Sequence, residues 1–279
     1  MLRLLNISRP RFWMYALGPY LIGIGAAQSL SNAVVFNLDI VFWLIYFTLP
    51  ANLFVYGIND LADGDTDAFN EKKGTYEARV DAKEKKTLIW AIILFQIPFI
   101  PLLYQASFLE QMACAAFILF NLAYSLPPLR LKARPFLDSL SNGVFCASVG
   151  LMGYFAAGGT EIWWLPVIAG AIWSSVMHAY SAIPDIEADT KAGIATIATI
   201  LKAKAALWVC LVGYIAVALC LWMSGLYAHT GLVIPYIVLI AASFYMLRKK
   251  GSVFSIYMLY PFVTYLVGYL VYHFNVYIV

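Results

Sequence analysis

Apolar positions in this chain gather into long runs without charge. Residues 40–58, 87–109, 111–129 and 251–272 are each uncharged from end to end, and each approaches the roughly 20 residues that a helix needs to cross a bilayer. Five less uniform runs cover residues 12–28, 139–160, 162–184, 205–228 and 230–247. In lipid the backbone must satisfy its own hydrogen bonds, so runs of this length predict helices rather than open strands. The pattern predicts an all-α, polytopic membrane bundle of nine transmembrane helices, read as a single domain over residues 1–279.

Composition agrees with that picture. Of 279 residues, 63% are hydrophobic and 12% charged, too little polar surface for a soluble domain of this length. The placement of charge carries more than the net value of +3. Basic residues cluster at Arg3, Arg9 and Arg11, at Lys72, Lys73, Arg79, Lys83, Lys85 and Lys86, at Arg130, Lys132 and Arg134, at Lys191, Lys202 and Lys204, and at Arg248, Lys249 and Lys250. Those are all 18 basic residues. The intervening loops hold only Asp39, Glu110, Glu161 and His229. Under the positive-inside rule this alternation predicts a cytoplasmic N-terminus and a C-terminus on the opposite side. The first apolar run has basic flanks but no clear small-residue cleavage site, so it is read as a retained helix. Cys114, Cys146, Cys210 and Cys220 all fall within apolar runs and share no metal-type spacing, which predicts buried thiols. Pro50, Pro98, Pro101, Pro166, Pro235 and Pro261 also lie in apolar runs, where they are expected to kink helices and widen a cavity.

Two long loops, residues 59–86 and 185–204, fall on the predicted cytoplasmic side. Each opens with acids at the end of an apolar helix. In the first, helical spacing puts Asp60, Asp63 and Asp67 on one face beside Asn59, and carrying that face backward reaches Tyr56 and Asn52. Acids this dense repel one another unless a cation joins them. Hard oxygen ligands suit Mg²⁺ shared with substrate phosphates, while a solvated acidic cap is the simpler alternative. In the second loop Asp185 and Asp189 form an i, i+4 pair, and Glu187 points elsewhere. Carboxylates alone would repel a diphosphate, and a bridging Mg²⁺ inverts that sign.

The loop Tyr124-Ser-Leu-Pro-Pro-Leu-Arg130-Leu-Lys132-Ala-Arg134 and the residue Arg9 offer direct positive charge on the same side. Topology signalling or lipid head-group contact accounts for such cations equally well. Asn52, Asn121, Asn142, His178 and the pair Ser174-Ser175 are polar within apolar runs; such residues are functional candidates, with interhelical hydrogen bonding the commoner explanation. His178 precedes Asp185 by seven residues and shares its helical face. Tyr56, Tyr124 and Tyr180 lie on helices leading to the acidic clusters, where an aromatic face could stabilise a passing carbocation.

With both clusters in view, the sequence resembles the UbiA-type intramembrane prenyltransferases. Asn59, Asp60, Asp63 and Asp67 match the family's Asn-Asp-x-x-Asp-x-x-x-Asp motif, and Asp185 and Asp189 its Asp-x-x-x-Asp motif. Tyr124 to Lys132 resembles its Tyr-x-x-x-Lys loop with longer spacing. The resemblance implies a bundle around a central, laterally open cavity in the cell membrane. It implies that Asp60, Asp63, Asp67, Asp185 and Asp189 are catalytic and hold Mg²⁺, two ions in all. Asn59, Lys72, Lys73, Arg130, Lys132 and Arg9 would bind the diphosphate, and Asn52, Tyr56, Tyr124, His178 and Tyr180 would line the substrate cavity. The expected reaction is alkyl transfer (EC 2.5.1 class) from an isoprenyl diphosphate donor to a lipophilic acceptor. The expected surroundings are membrane lipid, with no nucleic acid and no obligate protein partner. The strings Glu71-Lys72-Lys73-Gly74 and Ala182 to Asp189 look most like the lycopene-elongase branch, which implies dimethylallyl transfer to a linear carotenoid. The rival reading is prenylation of an aromatic or polar precursor in quinone, chlorophyll, haem or archaeal lipid synthesis.

Overall fold

The computed structural model describes residues 1–31, 37–62, 80–81 and 83–277, and every regular element among them is helical. In chain order the α-helices are α1 (Leu2–Ser8), α2 (Met14–Ser31), α3 (Leu38–Tyr46), α4 (Leu49–Ala62), α5 (Lys85–Gln96), α6 (Ile100–Gln105), α7 (Phe108–Ser125) and α8 (Leu137–Ala156). They continue as α9 (Trp164–Ser181), α10 (Ile186–Lys191), α11 (Ile197–Met223), α12 (Tyr227–Gly231), α13 (Ile234–Arg248), α14 (Val253–Tyr257) and α15 (Tyr260–Tyr277). All nine predicted runs carry helix. Among the described residues, six stretches are long and apolar enough to cross a bilayer: Leu38–Ala62, Lys85–Gln105, Phe108–Ser125, Ile197–Met223, Tyr227–Arg248 and Val253–Asn275. The other three predicted spans, α2, α8 and α9, are helices of 18, 20 and 18 residues that carry glycine, serine, asparagine and histidine. Nine crossings are therefore supported by length and apolarity at six.

The prolines act differently from the expectation. Pro50, Pro101, Pro235 and Pro261 occupy the second position of α4, α6, α13 and α15, Pro166 the third of α9, and Pro98 a 3₁₀ turn at Ile97–Phe99. They begin helices instead of bending their interiors, because the first turn has no intrahelical partner for the missing N–H. Predicted runs therefore divide at prolines into pairs such as α5 and α6. Pro19 does lie inside a helix, α2.

The second long loop is more ordered than expected. A 3₁₀ turn at Ile183–Asp185 leads into α10. α11 then begins at Ile197, eight residues before the predicted run, with a break at Lys202. Thr196 and Thr199 form a reciprocal capping box there, which satisfies N–H groups that a helix start leaves open. Asp138 adds to it, its Oδ2 accepting from the Ile197 N–H at 3.0 Å.

The chain divides into two compact units, Met1–Arg130 with Ser148–Thr160, and Leu131–Ala147 with Glu161–Val279. The first has a core of aromatic rings: Tyr20 lies 5.0 Å from Phe47, Tyr46 4.9 Å from Phe99, and Phe47 5.9 Å from Phe117 between centroids. There α2 meets the C-terminal half of α8 through glycine. A Cβ on Gly23 would strike the Gly150 carbonyl, and one on Gly153 the Tyr20 carbonyl. In lipid, where helices gain little from hydrophobic burial, small residues permit this close backbone approach. The second unit centres on α9 packed against α11, with Gly213 receiving Val176. Buried tyrosines join its helices: the hydroxyls of Tyr214 and Tyr260 are 2.6 Å apart, and the ring of Tyr236 stacks on Tyr214 at 5.2 Å. All four cysteines are free; Cys114, Cys146 and Cys210 are buried and Cys220 is half-buried.

Candidate active site

The described part of the first acidic motif is Asn59-Asp60 in the last turn of α4. Gly57, one turn earlier, lets α5 approach: a Cβ there would come within 2.9 Å of the Ile92 side chain. Asp60 is 1% exposed. Its Oδ1 accepts from Arg9 Nη2 at 2.8 Å in a buried ion pair. Arg9 closes α1 in the left-handed conformation, φ 52° and ψ 69°. Both its Cβ and the following Pro10 disfavour that conformation. The turn is pinned by the Trp13 indole, which donates from Nε1 to the Ser8 carbonyl at 3.1 Å. The guanidinium lies 4.6 Å from the centre of the Tyr56 ring, one helical turn before Asp60. So Arg9, Asp60 and Tyr56, all expected at the site, come together. Asn59 reaches Ser125 at the end of α7, with Oγ to Oδ1 at 3.4 Å, beside Tyr124. Asp63, Asp67, Lys72 and Lys73 lie outside the described residues.

The second motif is described in full. Asp185 ends the 3₁₀ turn and Asp189 lies in α10; both are half-buried. Glu187 turns outward and pairs with Lys191 at 2.7 Å, which holds its carboxyl below the usual range through the hydrogen bond from the ammonium. The outward turn of Glu187 agrees with the sequence reading. Seven residues before Asp185, the His178 Nδ1 is 3.2 Å from Ser139 Oγ on α8. In the basic loop, Arg130 adopts a positive φ of 40° and its N–H donates to the Leu126 carbonyl at 2.9 Å. Lys132 is buried in a 3₁₀ turn at Leu131–Ala133.

Two residues expected in the substrate cavity, Asn52 and Tyr180, make hydrogen bonds within the fold. Asn52 Nδ2 donates to the Phe47 and Thr48 carbonyls at 2.8 and 2.7 Å. The Thr48 carbonyl also accepts from the Asn52 N–H at 3.3 Å, so the amide reinforces the start of α4 where α3 ends. Tyr180 is 0% exposed; its hydroxyl is 2.7 Å from Ser243 Oγ, and its ring packs against Tyr257 and Tyr260. Both are polar groups at depth that satisfy backbone or side-chain partners. Asp138 was missed by sequence reasoning. Its signal was being an acid of the basic-side loops that belongs to neither cluster.

Among the described residues no group of three or more His, Cys, Asp or Glu side chains could hold a metal ion. The donors present do fit Mg²⁺ by type. Asp185 and Asp189 present hard carboxylate oxygens, half-open to the surface, as an ion that keeps several of its waters requires.

Residues 16–260 match the profile of the UbiA prenyltransferase family. The lycopene elongase/hydratase of Haloferax volcanii is 38% identical over 218 residues, 76% of this chain and 69% of that protein. The enzyme of the same name from Halobacterium salinarum is 40% identical over 204 residues, 73% of each. A UbiA homologue from Archaeoglobus fulgidus, solved bound to DMAPP and Mg²⁺, superposes with a TM-score of 0.68 at 18% identity, over 99% of this chain and 100% of that one. At that identity the last likeness speaks for the fold alone. On the family match and these relatives, the chain belongs to the UbiA prenyltransferase family, integral membrane enzymes that transfer prenyl groups.

Proposed function

We propose that this enzyme transfers a dimethylallyl group from dimethylallyl diphosphate to the end of lycopene or a related linear carotenoid, with Mg²⁺ required. The observation that carries the reading is the 38–40% identity to two lycopene elongase/hydratases over roughly three quarters of the chain, joined to intact acidic motifs at Asn59, Asp60, Asp63 and Asp67 and at Asp185 and Asp189.

The five aspartates are assigned to metal binding. Bound Mg²⁺, two ions in this reading, would screen the phosphate charge and stabilise the departing diphosphate. Asn59, Arg9, Lys72, Lys73, Arg130 and Lys132 are assigned to the diphosphate oxygens, Arg and Lys differing in that the guanidinium can bind two oxygens at once. The allylic carbon–oxygen bond breaks and its electron pair leaves on the diphosphate. The terminal alkene of the acceptor supplies the pair for the new carbon–carbon bond, and the resulting cation ends by losing a proton or capturing water. Tyr56, Tyr124 and His178 are assigned to the path of the cation, where aromatic faces attract positive charge. The surrounding lipid excludes water that would otherwise quench it.

Membranes carrying the protein, given labelled dimethylallyl diphosphate, lycopene and Mg²⁺, should form a carotenoid longer by one or two prenyl units, and chelation should stop it. The Asp185→Asn variant, present at equal folded level, should lose activity on the order of a hundredfold or more. Label passing to a quinone precursor and never to lycopene would move the acceptor to the rival class. Full activity in Asp185→Asn would remove the second motif from the site.

A further inference from the structure

Asp138, the second residue of α8, is 0% exposed and bonds in two directions. Its N–H donates to the Arg134 carbonyl at 2.9 Å, which closes the basic loop carrying buried Lys132 onto the first turn of α8. Its Oδ2 accepts from the Ile197 N–H at 3.0 Å, 59 positions along the chain. The next residue, Ser139, places its Oγ 3.2 Å from His178 Nδ1 on α9. The first turn of α8 therefore meets both the helix before the second acidic motif and the helix after it.

The stretch between those two helices is short and bonded within itself. After α10, the Gly193 N–H donates to the Thr190 carbonyl at 3.2 Å and the Ile194 N–H to the Asp189 carbonyl at 2.8 Å. Gly193 makes this turn at φ 69°, a conformation that a side chain would strain. The capping box then satisfies the N–H groups of Thr196 and Thr199. It leaves the Ile197 N–H, in a residue 4% exposed, to Asp138. At its other end the stretch continues from α9 through the 3₁₀ turn at Ile183–Asp185. Asp185 and Asp189 thus lie between a helical entry and a tethered exit.

We propose that Asp138 is a positioning residue: touching neither metal nor substrate, it ties the exit of the second acidic segment to the basic loop and so holds Asp185, Asp189 and Lys132 in one arrangement for Mg²⁺ and diphosphate. This rests on the assignment of those three residues to the metal–diphosphate site. A ligand that must draw a loose segment into place loses part of its binding free energy to that ordering. Loss of the tether therefore acts on binding more than on the chemical step, raising KM and leaving kcat nearly unchanged. A group serving stability alone behaves differently, because restoring stability then restores binding.

The test uses the full chain purified in detergent, as the unaltered protein, Asp138→Asn, Asp138→Ala and the double Asp138→Ala/Ile197→Pro. Asp138→Asn keeps an acceptor for the Ile197 N–H and gives up the charge. Asp138→Ala leaves that buried N–H without a partner. The double removes donor and acceptor together, so neither is left unpaired. Proline suits the first position of a helix, and Thr196, at φ −114° and ψ 168°, already holds the extended conformation that a following proline favours. The readouts are the thermal midpoint, activity against donor and Mg²⁺, and thermal stabilisation by dimethylallyl diphosphate titrated with Mg²⁺, which requires no acceptor.

Asp138→Ala should raise the donor KM and the Mg²⁺ midpoint by about two- to tenfold, the scale of one hydrogen bond, while Asp138→Asn stays within about twofold of the unaltered protein. The double should regain part of the thermal midpoint lost in Asp138→Ala and keep the raised constants. Constants that return to normal in the double, or that never move in Asp138→Ala, would overturn the positioning role while the unaltered protein still binds donor. Asp138→Asn as impaired as Asp138→Ala would overturn it too, since charge and not the tether would then be at work. If Asp138→Ala yields no folded protein, the double is compared with Asp138→Asn directly, and equal constants in the two refute the tether. Absence of Mg²⁺-dependent binding in the unaltered protein would remove the assigned site and the positioning role together.

Discussion

Arg9 is held in a backbone state that costs on the order of 1–3 kcal/mol for a residue with a Cβ. It gains a buried carboxylate and the face of Tyr56. Glycine would relieve the strain but remove the guanidinium, and removing one partner of a buried pair typically costs about 3–5 kcal/mol. The second effect is larger, so Arg9→Gly should lower the thermal unfolding midpoint in detergent. Adding Asp60→Asn should restore part of the loss, because the remaining group no longer carries charge, while activity stays absent. A midpoint above that of the unaltered protein would show that backbone strain outweighs the pair. The same scale governs Asn52 and Tyr180, whose polar groups pair with carbonyls and a hydroxyl of the fold. A polar residue at membrane depth announces that it has a partner, and nothing local tells whether that partner is substrate or a neighbouring carbonyl or hydroxyl.

At the scale of elements, glycine position separates two kinds of contact. Gly153 faces the Tyr20 backbone, whereas a Cβ on Gly170 in α9 would meet nothing within 4 Å. Gly153→Leu should push α2 from α8 and destabilise by about 1–3 kcal/mol or more. Gly170→Ala should be neutral or stabilising by up to about 1 kcal/mol, since alanine favours the helix. Folded yield and thermal midpoint in detergent check both, and equal behaviour of the two variants would deny the close approach. The element pattern was legible early, because each apolar run had the length of a helix and each motif its helical spacing. The proline breaks were harder to place. A proline in an apolar run is compatible with a kinked helix or with a new first turn, and the choice depends on where the preceding helix finds its caps.

For the whole molecule, the alternation of basic clusters and nearly uncharged loops predicts opposite sides for the two termini. Reporter fusions should place the N-terminus in the cytoplasm and the C-terminus outside it. Both ends on one side would require an even number of crossings and remove one of the three less apolar helices, α2, α8 or α9, from the span count. Those three combine lower apolarity with close helix contacts at Gly23, Gly143 and Gly153.

Composition and spacing were enough to determine an all-helical membrane protein, the two acidic motifs, and the family whose chemistry they suit. These are local properties: the length of an apolar run and the interval between aspartates are written in neighbouring residues. Which arginine meets Asp60, what Arg3 holds, and which hydroxyl meets Tyr180 were decided only when the chain folded. Each of those pairings joins a side chain to a group that local spacing does not single out: Arg9 with Asp60 lies 51 positions apart and Arg3 with Glu84 lies 81. The tertiary structure alone selects one acid from the many a basic residue could meet.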